Sequence, residues 1–229
     1  TKFLEKWLKN KIETTLKSLI DLKDLKEKNS SIKALAYQLY ENNGVLKRDQ
    51  VTEYLKNLAQ NERKILRELG VKFGRYHVFL HRLIKPEAVS LRTLLWKNYH
   101  QKYFDLQPPT FGLNFIDNKN QTNKNFMLLC GFEKFENFFV RIDILERLFM
   151  QIINSNSGKE IKMIPEMLNL LGCNKDNFKK LLLNMGYKVI EKNNEVFFKY
   201  RPKKNDKKIF DKKMSKESPF GILKNLNLN

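Results

Sequence analysis

The stretch IPEMLNLLGCNKDNFKKLLLNMGY, residues 164–187, constrains this chain's fold more than any other. Pro165 opens a short helix, the turn at Gly172–Asn174 closes it, and a second helix turns Phe178, Leu181, Leu182 and Met185 to one face until Gly186 caps it. Two helices about a glycine turn have helix-turn-helix spacing. The following YKVIEKNNEVFFKYR alternates on both sides of Asn193 and Asn194, residues that tolerate the left-handed turn of a hairpin. Upstream, Phe138 to Arg141 reads as a short strand, leading into a helix with Ile142, Leu145, Phe149 and Ile152 inward and a break at Asn154 to Gly158. Helix, helix-turn-helix and hairpin together predict a small winged-helix domain over residues 138–202.

Residues 1–106 predict a helical, bundle-like domain. Phe3, Leu4, Trp7, Leu8, Ile12, Leu16, Leu19 and Ile20 recur at helical spacing as one amphipathic helix. Ser31 can cap a second, with Ile32, Leu35, Ala36, Leu39 and Tyr40 in a stripe that Asn42, Asn43 and Gly44 stop. Val51, Tyr54, Leu55 and Leu58 form a third, and Ile65, Leu66 and Leu69 a short fourth ending at Gly70. From 71 to 80 the pattern alternates about Gly74 as extended segments do. Pro86 and Glu87 then start a helix running towards Tyr99, with Ala88, Leu91 and Leu95 buried. Gln107, Pro108, Pro109 and Thr110 end that domain, and 107–137 reads as linker and loop, polar and asparagine-rich from Asp117 to Asn125. The fold expected is mainly α, a helical domain followed by a winged helix, with a basic, mobile tail over 203–229. Thr1 in place of methionine leads to the expectation of a piece trimmed from a longer protein.

Charge narrows the partner class. Forty-four Lys plus Arg against twenty-five Asp plus Glu give +19, a field that draws polyanions. An AT-rich coding bias, visible in the asparagine and isoleucine content, explains lysine equally well. Arginine resists that bias: five of nine arginines, Arg63, Arg67, Arg75, Arg82 and Arg92, fall within thirty residues. A guanidinium is a planar fork that matches phosphate or carboxylate, which lysine does not reproduce. No run of about eighteen apolar residues is present to span a bilayer, and no signal peptide is legible, so a soluble, cytoplasmic protein without a membrane partner is expected.

Three blocks, LGVKFGRYHVFLHRLIKPEAVSLRTLLW, CGFEKFENFFVRIDILERL and PEMLNLLGCNKDNFKKLLLNMGY, together with the preceding LAYQLYENNGVL, resemble the region carboxy-terminal to the motor in alphaproteobacterial DExH-box RNA helicases of superfamily two, relatives of the mitochondrial degradosome helicase. The likeness runs from about Leu4 to Arg201. It implies an accessory region that guides RNA or docks partners such as a ribonuclease and that serves motor domains in the same polypeptide; the RNA expected is single-stranded, bound with weak sequence preference. ATP and magnesium would belong to the motor, since neither GxxxxGK[ST] nor DExH occurs here. The chain itself is expected to be no enzyme and to carry no cofactor.

Other chemistry finds little footing. His77 and His81 lack HExxH, and with Cys130 and Cys173 they show no metal-ligand spacing, so satisfied, partly buried side chains are the expected reading and no metal site is assigned. The acids Glu133 and Glu136, Asp143 and Glu146, and Asp21 and Asp24 read as solvated faces and helix-start charges. The candidate nucleic-acid-binding residues form two constellations: Lys72, Arg75, Arg82, Lys85 and Arg92, with Tyr76 and His77 among them, then Lys175, Lys179, Lys180, Lys188 and Arg201, with Lys203 and Lys204 beyond. For the arginines a second reading stays open: pairing with Glu62, Glu68 or Glu87, or binding helix carboxy termini. On the second helix of the 164–187 pair, Asp176, Lys180 and Leu183 fall opposite the buried stripe, a poor face for reading a major groove. The rival function is a protein-docking scaffold for the motor or a nuclease, touching nucleic acid only incidentally.

Overall fold

A computed structural model of the chain describes residues 2–25, 30–101, 105–117, 123–155, 160–193 and 195–200. The described residues are mainly helical and carry three small antiparallel sheets of three strands each.

Two helices lead. The single amphipathic helix expected at the amino terminus is α1 (Lys2–Thr15) and α2 (Lys17–Lys23), with a break at Leu16. Its second half joins the core, with Ile12 of α1 packed against it. Leu16, Leu19 and Leu22 are buried, whereas Phe3, Leu4, Trp7 and Leu8 face solvent, Phe3 at 79% exposure. Periodicity marks a face as apolar without saying that anything covers it.

Three units follow, built on one plan. In the first, α3 (Ser30–Glu41) ends at Asn43 and Gly44, both with positive φ. Next come β1 (Val45–Lys47), a 3-10 turn (Arg48–Val51), α4 (Thr52–Asn57), α5 (Gln60–Glu68), β2 (Val71–Phe73) and β3 (His77–Leu80). The strand order is β1-β3-β2, so the extended stretch at 71–80 is a hairpin whose second strand takes up a third, upstream strand. Three residues of β1 are too few to show alternation, which is why the sequence pattern hides it.

The second unit has α6 (Pro86–Tyr99), with the bounds its proline start predicts, then β4 (Phe115–Asp117), α7 (Lys124–Leu129), β5 (Phe132–Lys134) and β6 (Phe138–Arg141), in the order β4-β6-β5. Residues 107–137 are therefore not simply linker and loop. Phe126, Met127, Leu129, Cys130 and Phe132 are buried there, packing with Val89 and Phe139, and the Asn123 side chain caps α7 by accepting from the Asn125 and Phe126 amides. A six-residue helix preceded by a polar run offers less than two turns of pattern, too little to register against its surroundings.

The third unit is α8 (Ile142–Ser155), β7 (Ile161–Lys162), α9 (Pro165–Leu171), α10 (Lys175–Asn184), β8 (Tyr187–Lys192) and β9 (Glu195–Tyr200), ordered β7-β9-β8. Its helices and hairpin fall where the sequence spacing puts them, but the strand Phe138–Arg141, expected to open this domain, belongs to the second unit's sheet, and β7 has no counterpart in the sequence expectation. Gly172 is left-handed at φ 71°, Asn174 caps α10 through the Asn177 amide, and Asn193 takes φ 49° in the hairpin turn.

Each unit thus runs helix, strand, helix, hairpin, and places the last strand at the centre of its sheet. The helix before each hairpin stops at a glycine with φ near +90°: Gly70, Gly131 and Gly186. The repeat is visible in LGVKF, CGFEK and MGYKV once the elements are aligned. The core of the first unit takes in Ala88 and Leu91 of α6, and that of the third unit takes in Phe138 and Val140 of β6. Val45, Phe79 and Ile84 meet Ile142 of α8, and Tyr76 packs edge-on against Phe149, its ring centroid 5.0 Å away, so the first unit's sheet lies against the third unit's first helix. Among the described residues no helix is long and apolar enough to cross a membrane.

Candidate nucleic-acid interface

Of the cations expected to gather in the first constellation, Lys72, Arg82 and Lys85 lie about His81, while Arg75 and Arg92 are placed elsewhere. Lys72, on β2, and Lys85, just before α6, are exposed and near enough to His81 that, after burial, their charges and that of Arg141 help lower its pKa. Arg82 is exposed on the same short turn as His81. Arg75 points out at the tip of the β2–β3 hairpin, near Tyr187 of the third unit.

Arg92 leaves the set. It is 3% exposed, and its Nη1 donates to the Asn43 carbonyl at 2.6 Å while Nη2 donates to the carbonyls of Leu83 at 2.6 Å and Leu129 at 2.8 Å. Those carbonyls close the turn after α3, the 3-10 turn His81–Ile84 and α7, so one fork gathers three carboxy-terminal ends, where cations are favoured. Burial pulls its pKa down to about 10, which keeps it charged at neutral pH. The reading in which an arginine binds helix carboxy termini holds for Arg92, and phosphate has no access to it. The carboxylates weighed as arginine partners are engaged elsewhere: Glu62 accepts from the Ala59 amide, Glu68 lies 4.0 Å from Lys64 Nζ, and Glu87 pairs with Lys11.

On the third unit, Lys175, Lys180 and Lys188 are exposed. Lys179 is taken up by Glu191 and Asp176, and hydrogen bonding to Glu191 raises its pKa. Asp176, Lys180 and Leu183 do face outward, Leu183 at 59% exposure. Arg201, Lys203 and Lys204 lie outside the described residues. Among the described residues, no carboxylate lies within ion-pair distance of Lys72, Arg75, Arg82, Lys85, Lys175, Lys180 or Lys188.

The acids hold the larger surprise. Glu133 on β5 and Glu146 on α8 are each 5% exposed, not members of solvated faces. They grip His77 of β3 from both sides, with Nδ1 3.0 Å from Glu146 Oε1 and Nε2 3.1 Å from Glu133 Oε2. Glu146 also accepts the backbone amides of Arg75, Tyr76 and His77, and Lys47 Nζ lies 2.7 Å from Glu133. Burial alone would depress the His77 imidazolium, yet hydrogen bonds and charge from the two glutamates hold its pKa above the ordinary histidine value. Burial likewise pushes Glu133 up, and is outweighed by His77 and Lys47, which hold it low. With both ring nitrogens occupied by carboxylates, the imidazole has none left to exchange a proton with a substrate. The cluster is a clasp, and it takes one element from each of the three units.

Gly74 makes the clasp possible, because a methyl group there would overlap the Glu146 carboxyl. No local signal in the sequence announces the cluster, since its members lie 56 and 69 residues from His77. The thiols are quiet: burial pushes Cys130 up to about 12 and Cys173 up to about 11, so both are protonated at neutral pH.

In comparisons with known proteins, no family model matches the chain, and neither a curated protein nor a solved structure matches it.

Proposed function

We propose that this chain is a non-catalytic, RNA-guiding module made of winged-helix units, the accessory region of an ATP-dependent RNA helicase. The strand order of the first and third units, with the upstream strand paired to the last strand of the hairpin, is what supports the winged-helix reading. The carrying observation for function is the set of exposed cations on the first and third units, Lys72, Arg75, Arg82, Lys85, Lys175, Lys180 and Lys188, which no neighbouring carboxylate neutralises among the described residues. Cations presented this way release counterions from a phosphate backbone and bind without base readout. The helicase assignment rests on the sequence resemblance.

The test is fluorescence anisotropy with a labelled single-stranded RNA of mixed sequence, titrated with the full chain at several salt concentrations. Affinity is expected to fall steeply with salt, with a log–log slope of about −0.7 for each phosphate contacted, and to vary little with base composition. Exchanging Arg75 and Arg82 for glutamate should weaken binding and flatten the slope. A chain that ignores RNA at low salt would sink the reading.

The docking-scaffold alternative has its own observation in the exposed stripe Phe3, Leu4, Trp7 and Leu8 on α1, since contiguous exposed apolar residues mark interaction sites. It predicts RNA affinity that is unchanged when the cations above are reversed.

A further inference from the structure

Two hollows adjoin where the three units meet, one of ≈ 820 Å³ and one of ≈ 510 Å³, and they share Arg48, Arg75 and Tyr200 as a common waist. The first unit supplies Lys47, Arg48 and Arg75, the second Lys134 and Phe135, and the third Tyr200. No single unit contains this trough. It exists because the clasp on His77 holds the hairpin tip of the first unit against α8, with Arg75 and Tyr76 giving their amides to Glu146.

The waist is prepared for an anion beside a ring. Arg48 is half-buried and anchored, its Nη1 donating to the Gly74 carbonyl at 2.6 Å and its amide to the Tyr76 carbonyl at 2.8 Å. Arg75 is exposed and finds no carboxylate within ion-pair distance among the described residues. Tyr200, 39% exposed, is braced edge-on by Tyr187 at 5.3 Å between ring centroids. A fixed guanidinium, a free one and a supported ring are the parts that hold a phosphate and stack an unpaired base. Asp49, Glu136 and Glu133, the last paired with Lys47 and His77, also line the larger hollow and would repel phosphate there, which assigns the phosphate position to the waist.

The outward face of α10, where a winged helix would present its reading surface, is poorly suited by comparison. It shows Asp176 and Leu183, and its Lys179 is consumed by Glu191 and Asp176. We infer that the inter-unit trough, and not the face of α10, is the path of a single-stranded RNA segment, with a phosphate between Arg48 and Arg75 and a base against Tyr200. A duplex keeps its bases stacked and has none to offer such a ring, so the occupant is single-stranded. The inference rests on the nucleic-acid reading above and deepens it to a site.

The experiment uses the full chain and a labelled oligouridine, with each variant's fold checked by thermal melting. Arg75→Gln should weaken binding roughly tenfold and reduce the salt slope by about 0.7, while Arg75→Lys restores the slope without the full affinity. Tyr200→Ala should cost about fivefold or more with the slope unchanged, and Tyr200→Phe should bind as the parent does. Photo-crosslinking with 4-thiouridine should label peptides containing Phe135 or Tyr200. If Arg75→Gln and Tyr200→Ala bind like the parent while Lys180→Gln and Lys188→Gln lose affinity, the trough is not the path, although RNA binding stands. If the parent does not bind oligouridine, both readings fall. Displacement of the RNA by poly-glutamate, charge for charge, would assign the trough to an acidic polypeptide and overturn the proposal.

Discussion

His77 sits on the border between two charge states, and its surroundings choose one. Folding gives the imidazole two carboxylate partners that it lacks in the unfolded chain, so its pKa rises. A raised folded pKa contributes stability that is fully present below the unfolded value, about 6.5, and is lost as pH climbs through the folded value. Glu133 runs the other way: its depressed pKa contributes stability above the ordinary carboxylate range, lost as pH falls through the folded value. The clasp is therefore most stabilising between those two limits. Thermal melts across pH should show the parent losing stability on the alkaline side of 6.5, a loss that His77→Gln does not share. At pH 6 that variant should be less stable by about 3–5 kcal/mol, the cost of leaving a buried carboxylate without its cation. A parent whose melting temperature is flat from pH 6 to 9 would mean that the imidazole is neutral in the fold.

Elements here are punctuated by prolines and glycines but joined by side chains that reach between them. Pro86 and Pro165 start α6 and α9 at the residues where a missing amide does no harm, and Gly172 ends α9 in the left-handed conformation, all legible in the sequence. The join between α3, α6 and α7 is not legible there, because it depends on Arg92 reaching three carbonyls that lie 9, 37 and 49 residues away. Arg92→Met keeps much of the stem and removes the donors, leaving those carbonyls buried and unpaired. The expected loss is about 3 kcal/mol or more in chemical denaturation, with RNA affinity of the folded variant unchanged. A measurable fall in RNA affinity of the folded Arg92→Met protein would return this residue to the proposed interface.

At the scale of the whole molecule, three similar units behave as one body only if something holds them, and the clasp is the polar part of that hold. Glu146→Gln keeps the shape and removes the charge that His77 and three backbone amides converge on. The parent is expected to unfold in a single calorimetric transition, and Glu146→Gln to separate into two, with the third unit melting apart from the first. One sharp transition in both proteins would show that apolar contact between the units suffices.

The sequence by itself determined that the chain is mainly helical, where helices α6, α9 and α10 begin and end, and that a hairpin closes the third unit, because caps, prolines and period are local and act within a few residues. It did not reveal β1, β4, α7 or the repetition of the plan, whose segments are too short to carry a period of their own. Which charges are spent and which are free was decided only by tertiary structure. Whether Arg92, Glu133 or Glu146 meets water or a partner depends on groups that the chain brings back from dozens of residues away, and a charge's own neighbours in sequence carry no record of that return.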